Sequence, residues 1–439
     1  MIAYPPARAS AWWVHGFLLF QFVCQGALVI EGLGAGRTVL RVVSFAASVA
    51  LVVLVPTGGR PYPLRGVAAG VVGLTAFGLL HPALNTPLAG IGHVAITMAV
   101  WGPVFWVART RMAAGDIRRV LVAFWMFQTA SAGVGVLQVY FPDRFAPDPA
   151  FVKQLSGPTA DGLKVTLDDG RTVFRPMGLS DTPGGAATAG MFAVLTGFAV
   201  ATSSRSWVLR TATIPAAVVG LFCIYMCQVR STLILTAISL VGLIGLLTVR
   251  GRLGRAAGLV VATAAVGGGG FVWAATVGSE AVSARLGTLT EESAGKVYYQ
   301  NRGIFLEDTI ETLLPRYPIG AGLGRWGMTH TNFGTHRNPD SPPLHAEIQS
   351  TAWVYDGGLF MLVLGYAAVV WALALSVKAV TLARTPELAD AAAVVAGVNL
   401  GVLVGTFGYI PFAGQTGMMF WLLNAALFAA TTADAERQA

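Results

Sequence analysis

The chain has little charge. Asp, Glu, Lys and Arg make up 11% of its 439 residues, against about 25% in an ordinary soluble domain. So few charged groups leave too little polar surface to cover a water-soluble fold of this length, which excludes that class. Acidic residues are the scarcer sign, 21 against 29 Lys and Arg, for a net charge of +8. No basic stripe or recognition helix accompanies that excess, so nucleic acid is excluded as the partner. Cysteine is nearly absent. Cys24, Cys223 and Cys227 all lie inside apolar runs, and the last two stand one helical turn apart. They are too few for a zinc site and poorly placed for a disulfide framework, so they read as small packing residues.

What the chain has instead is apolar length. Hydrophobic residues reach 55%, and the mean hydropathy is +0.65. Runs near 11–30, 38–56, 66–81, 88–107, 118–141, 183–202, 211–230, 231–249, 256–277, 357–377, 389–408 and 418–433 each approach the roughly 20 residues of a membrane-spanning helix. The expected fold is therefore an all-α polytopic membrane protein, a single membrane domain over 1–439 with about twelve spans. The first run follows Arg8 and reads as an uncleaved span rather than a signal peptide.

Basic residues give the orientation. Arg60 and Arg65; Arg109, Arg111, Arg118 and Arg119; Arg205 and Arg210; Arg250, Arg252 and Arg255; Lys378 and Arg384 occupy alternate short connections. The short connections between these hold Arg37, Arg41 and Arg230. The first set belongs in the cytoplasm, which puts both termini there too.

Two long connections then fall outside, 142–182 and 278–356. In the first, Lys164–Thr166 and Thr172–Phe174 flank Asp168-Asp169-Gly170, which predicts a small β-hairpin. In the second, Leu306, Ile310, Leu313 and Leu314 share a face, so Val297 to Leu314 is expected to be helical and to stop at Pro315. Glycines at 267–270, and the pair Gly66 and Gly70, are expected at close helix contacts.

Long loops of this kind are usually functional. The second holds His330, His336 and His345, with six bases and nine acids, so it is net acidic and any phosphate must be held by particular arginines. His345, in Pro342-Pro343-Leu344-His345-Ala346-Glu347, precedes a span and is the leading candidate. A neutral imidazole there can take a proton from an attacking hydroxyl near pH 7. The spacing of the three histidines matches no metal-ligand pattern, so no metal is assigned. His15, His81 and His93 lie in or near spans and are expected to hydrogen-bond between helices. Arg230 interrupts a strongly apolar stretch and either binds a phosphate group or snorkels to the headgroups. Arg302 opens the loop helix. Pro318-Ile319-Gly320-Ala321-Gly322-Leu323-Gly324 lacks the strand and the Lys-Ser/Thr of a nucleotide loop, and reads as a turn in which backbone approaches backbone. Ser180-Asp181-Thr182-Pro183 has the form of a helix start whose free N–H groups face the outer side.

Taken in order, Met177 to Pro183, Gln228-Val229-Arg230-Ser231-Thr232, Asn301-Arg302-Gly303-Ile304-Phe305, Pro318 to Gly322, and His345-Ala346-Glu347-Ile348-Gln349 through Asp356-Gly357-Gly358-Leu359 resemble the O-antigen ligase and O-antigen polymerase superfamily of bacterial membrane glycosyltransferases. The resemblance covers about 175–375. It departs at Ala346, where the family often has Asn. It implies a metal-independent enzyme without a cofactor, in the bacterial inner membrane, whose loops 142–182 and 278–356 are periplasmic. The donor would be a glycan on a polyprenyl diphosphate, and the acceptor a hydroxyl of a glycan or lipid-glycan. By the same resemblance His345 would be catalytic, Arg230 and Arg302 would hold the diphosphate, and Asp181 and Glu347 would support them. A polysaccharide polymerase is expected, with an O-antigen ligase acting on lipid A core as the alternative and a polysaccharide-lipid flippase as a more distant one.

Overall fold

The computed structural model describes residues 9–28, 30, 36–56, 58–145, 164–166, 172–180, 184–227, 229–291, 296 and 298–436. For 37–38, 143, 164–166, 172–174, 230, 278–291 and 300–301 it describes the backbone alone. The described chain is helical apart from two two-stranded ladders, the first a parallel pair of β1 (Ala9–Ser10) and β2 (Thr110–Arg111). Its long helices are α1 (Trp12–Ala27), α2 (Gly36–Leu54), α3 (Arg65–Phe77), α4 (Pro87–Trp106), α5 (Ala114–Tyr140), α6 (Gly185–Ser203), α7 (Trp207–Cys227), α8 (Arg230–Val249) and α9 (Leu253–Glu291). After them come the short α10 (Gly327–Phe333), then α11 (Gln349–Leu382), α12 (Pro386–Gly405) and α13 (Gln415–Glu436).

Local chemistry sets several starts. Thr86 accepts from the Ala89 N–H at 3.1 Å and Pro87 follows it, so α4 opens with a side-chain cap and a residue that has no N–H to leave unpaired. Thr385 and Pro386 repeat the device at α12. Of the start foreseen at Ser180 to Pro183, residues 181–183 lie outside the described residues. Helix α6 begins at Gly185, and Gly184 (φ +72°) occupies the capping position with no side-chain cap.

Nine helices among the described residues, α4 to α9 and α11 to α13, are long and apolar enough to cross a membrane. The chain is thus an all-α polytopic membrane protein. The expected twelve spans are not reached, because the first three apolar runs form α1, α2 and α3, of which α1 and α3 have only 16 and 13 residues. Arg37 and Arg41 stand in the first turns of α2, so its apolar stretch, Val39–Leu54, is also short.

Helix α12 is the most enclosed, with 83% of its apolar stretch buried, whereas α9 is peripheral at 11%. Helix α6 packs on α5 and α7, with the Gly190 and Gly220 backbones in direct contact. The foreseen glycines do less. Gly270 stands against Leu221 and Gly70 against Leu364, but Gly66 and Gly267 to Gly269 meet nothing. They lie on outward faces, where a missing side chain brings no partner closer. All three cysteines are buried and free. At the end of the bundle that carries the basic loops, Arg252 and Arg255 both pair with the buried carboxylate of Asp390, tying the α8–α9 turn to α12.

The hairpin forms as foreseen. Strand β3 (Lys164–Thr166) runs antiparallel to β4 (Thr172–Phe174), with Val165 opposite Val173. Its Asp168-Asp169-Gly170 turn lies outside the described residues. The second long connection starts later than 278, because α9 continues to Glu291. Helical turns then run from Tyr299 to Arg316, with two π-turn stretches, and the chain leaves them at Tyr317 rather than at Pro315. The next span also starts earlier than foreseen, at Gln349, and is broken at Gly357 and Gly358.

That break receives the Pro318 turn. Leu359 N–H donates to the Pro318 carbonyl at 3.0 Å and Ala321 N–H to the Tyr355 carbonyl at 2.8 Å. Gly358 has φ +61°, and a Cβ there would strike the Pro318 carbonyl. Backbone approaches backbone, as the glycine spacing suggested. Gly358→Ala is expected to cost about 1–3 kcal/mol from backbone strain alone, with the collision in addition. It should appear as a lower melting temperature of the purified protein in detergent.

Candidate active site

His345 lies on the extended segment that leads into α11 and is held there by main-chain and buried contacts. Leu344 N–H donates to the Arg325 carbonyl at 2.7 Å. The Arg325 guanidinium, itself buried, donates to the carbonyls of Pro342 at 2.9 Å and Ala321 at 2.6 Å. Burial pulls the Arg325 pKa below the ordinary arginine value, yet a guanidinium stays charged across the neutral range. The Tyr355 hydroxyl reaches the His345 carbonyl at 3.4 Å. The loop is thus fixed from below while the imidazole stays 71% exposed.

Glu347 joins two of the foreseen site residues. One carboxylate oxygen, Oε1, lies 2.6 Å from His345 Nε2. The other, Oε2, accepts from Arg302 Nη1. A carboxylate on Nε2 favours the tautomer with its proton there, leaving Nδ1 as the basic nitrogen. Among the described residues, Nδ1 has no hydrogen-bond partner. Arg302 spends one donor on Glu347 and has others left for a second anion.

Arg230 is placed by its backbone alone. It opens α8, and its side chain lies outside what the structure describes. The next residue, Ser231, lies against Gly408. The Phe407 carbonyl, one residue before Gly408, accepts from the Tyr298 hydroxyl at 3.4 Å, and Tyr298 is about one helical turn before Arg302. The start of α8, the α12–α13 connection and the Arg302 segment are therefore contiguous. Asp181 lies outside the described residues.

Beside these groups is a cavity of about 630 Å³. Its walls come from the end of α1, the start of α2, the middle of α5, the starts of α6, α8 and α13, the outer face of α10, and the residues around Tyr409 to Gly414. The helix ends among these are those that the basic-loop pattern places opposite Arg252 and Arg255. Ile410 and Ala413 line the cavity and share an apolar cluster with Ala346, next to His345. His345, Glu347 and Arg302 are not among the residues that line this cavity, whose walls mix polar side chains with Phe45, Phe124 and Phe192.

The other histidines go elsewhere. His330 Nδ1 faces the Gly324 carbonyl at 3.1 Å, and its ring stacks edge-on with His336. No three His, Cys, Asp or Glu side chains among the described residues are grouped to hold a metal ion. His15 bonds to the Ala11 carbonyl of the preceding turn and His81 to the Ala83 N–H, so neither joins two helices. The foreseen inter-helix role holds for His93 alone of the three. Its Nε2 lies 2.9 Å from Asp356 on α11 and its Nδ1 3.2 Å from the Thr329 hydroxyl on α10. Asp356 also accepts from Trp326 Nε1 at 2.8 Å.

Two supports escaped the sequence reading. Arg325 was one base among six, and nothing local to it signals burial. The partnership of Asp356 and His93 did leave a signal: an acid and an imidazole in otherwise apolar helices each need a polar partner.

The chain matches no protein-family model and no curated protein in sequence.

Proposed function

We propose that this protein is a membrane glycosyltransferase that moves a polyprenyl-diphosphate-linked glycan onto an acceptor hydroxyl, as a polysaccharide polymerase at the periplasmic face of the bacterial inner membrane. The observation that carries this reading is Glu347, whose two oxygens engage His345 and Arg302. One carboxylate then sets a base and an electrophilic cation at a fixed spacing. His345 Nδ1 takes the proton of the acceptor hydroxyl as its oxygen attacks the anomeric carbon. The bond from that carbon to the carrier diphosphate breaks, and the diphosphate leaves with the electron pair. Arg302 and Arg230 stabilise the charge that builds on it, so no metal is required. The isoprenoid tail would lie along lipid-facing grooves, and the glycan would occupy the crevice and the aqueous loop.

Reconstitution into liposomes with a lipid-diphosphate glycan donor tests the reading against transport. Glycan-transfer product is expected without movement of the donor between leaflets. Movement of the donor with no transfer product would replace the enzyme by a flippase. Within the enzyme reading, Glu347→Gln is expected to reduce kcat by about 10- to 100-fold, the usual effect of losing an orienting partner. Donor KM should rise as well, since Arg302 loses its anchor; steady-state kinetics on the purified variant checks both.

A further inference from the structure

Asp356 is an acid inside a membrane bundle, and its two oxygens differ. Oδ1 lies against both neighbours, His93 Nε2 at 2.9 Å and Trp326 Nε1 at 2.8 Å. Oδ2 has no hydrogen-bond partner among the described residues, although the side chain is only 13% exposed. A carboxylate in so apolar a setting needs its charge compensated, and neutral donors on one oxygen do not complete that. The Thr329 hydroxyl stands 3.2 Å from His93 Nδ1, with the Trp326 carbonyl at 3.3 Å as its other acceptor. Donation to Nδ1 leaves His93 neutral with its proton on Nε2, so the group of Asp356, His93 and Trp326 carries one net negative charge.

A pocket of about 50 Å³ adjoins this group, lined by Asp356, His93, Thr75 and Thr97 together with the indoles of Trp101 and Trp353. One water needs roughly 10–15 Å³ by the same kind of measure, so the pocket holds an ion with a water and is far too small for a sugar ring. Thr75 donates to the Val71 carbonyl at 2.9 Å, which leaves its oxygen lone pairs available, and Thr97 has no hydrogen-bond partner among the described residues. Asp356 is the one carboxylate in the lining, and no Lys or Arg lines it among the described residues. We propose that this pocket binds a small monovalent cation such as sodium, held by Asp356 Oδ2 and the hydroxyls of Thr75 and Thr97, with the indoles as an apolar wall that tolerates positive charge. One carboxylate matches one positive charge. Calcium takes about six to eight oxygens, with carboxylates among them, and would keep an uncompensated charge here. Gly327, Met328 and Ala413 line both this pocket and the large crevice, so the cation braces the wall between them by tying Asp356 on α11 to α3 and α4. The inference stands apart from the transferase reading, because it uses none of the residues assigned to transfer.

The test measures binding without substrate. Purified protein in detergent is melted at constant total salt while N-methyl-D-glucamine chloride, whose cation is too large for the pocket, is replaced stepwise by sodium chloride. The melting temperature is expected to rise with sodium and then level off, as saturable binding to the folded state requires. Radioactive sodium should bind saturably over the same range. Asp356→Asn should remove both responses, because the amide keeps the shape of the side chain and loses its charge. Thr97→Val keeps the shape and loses one oxygen; it should weaken sodium binding by about tenfold, the scale of one polar contact, and it carries the test where Asp356→Asn does not fold. Melting curves of wild-type protein that are the same in both salts overturn the proposal and leave His93, protonated, as the counter-charge of Asp356. Retention of the sodium response in Asp356→Asn overturns it as well. So does a response to calcium chloride that exceeds the response to sodium at equal ionic strength, which would assign the pocket to a divalent ion.

Discussion

His345→Ala is expected to lower the rate of glycan transfer by about 10²- to 10⁴-fold, the usual contribution of a positioned general base. Its imidazole is the group that the structure leaves exposed on a rigid mount, with Glu347 on one nitrogen and the other nitrogen open. Stability should not change, because a side chain that is 71% exposed has little packing to lose. The comparison is single-turnover transfer by wild-type and variant protein at equal folded concentration. Wild-type transfer is expected to continue in EDTA, since arginines carry the charge of the leaving group in this mechanism. Full activity in His345→Ala would remove the base from the mechanism, and loss of wild-type activity on chelation would remove its metal independence.

Arg302→Ala has the second large effect, about 10²- to 10³-fold in kcat, as when one donor to a developing oxyanion is deleted. Lysine should restore little of it. Arg302 donates to Glu347 with one nitrogen and has to present others to phosphate oxygens, a division of donors that a planar guanidinium allows and a point-charge ammonium does not. Inorganic diphosphate should bind more weakly to Arg302→Ala and inhibit it less. Because Arg302 and His345 share Glu347, their substitutions should not add: the double variant is expected to lose less than the product of the two single losses. Strict additivity in kinetics would mean that the carboxylate does not couple them.

The parts of this molecule that depend on local pattern were readable from the sequence. Apolar length foretold α4 to α9 and α11 to α13, and β-branched residues on both sides of Asp-Gly foretold the β3–β4 pairing. The glycines of Pro318 to Gly324 signalled close backbone contact, though not that Gly357 and Gly358 are where it is made. The parts that depend on distant contacts were hidden. That Arg325 is buried under the His345 segment follows from carbonyls of Ala321 and Pro342 turning inward, which no local pattern encodes. The crevice is hidden for the same reason: Gln25, Gln128, Ser231 and Thr416 belong to four helices, and each alone is an ordinary polar residue near a helix end or in a span. Glu347 was visible as a neighbour of His345, but its second bond, to Arg302, needed the fold. The span count was overestimated because hydropathy counts apolar runs, while crossing also requires an unbroken helix of sufficient length.

The central claim is that one end of the bundle gathers the base, the arginines and the donor in a single site. It is tested most directly by a polyprenyl-diphosphate donor analogue with a photoreactive group on the sugar next to the diphosphate, followed by mapping of the crosslinked peptides. The label is expected in 298–302, 345–349 and 229–235 and in the walls of the adjoining crevice, and to be competed by unlabelled donor. Competable labelling confined to the opposite end, around Arg252, Arg255 and Asp390, would contradict the account.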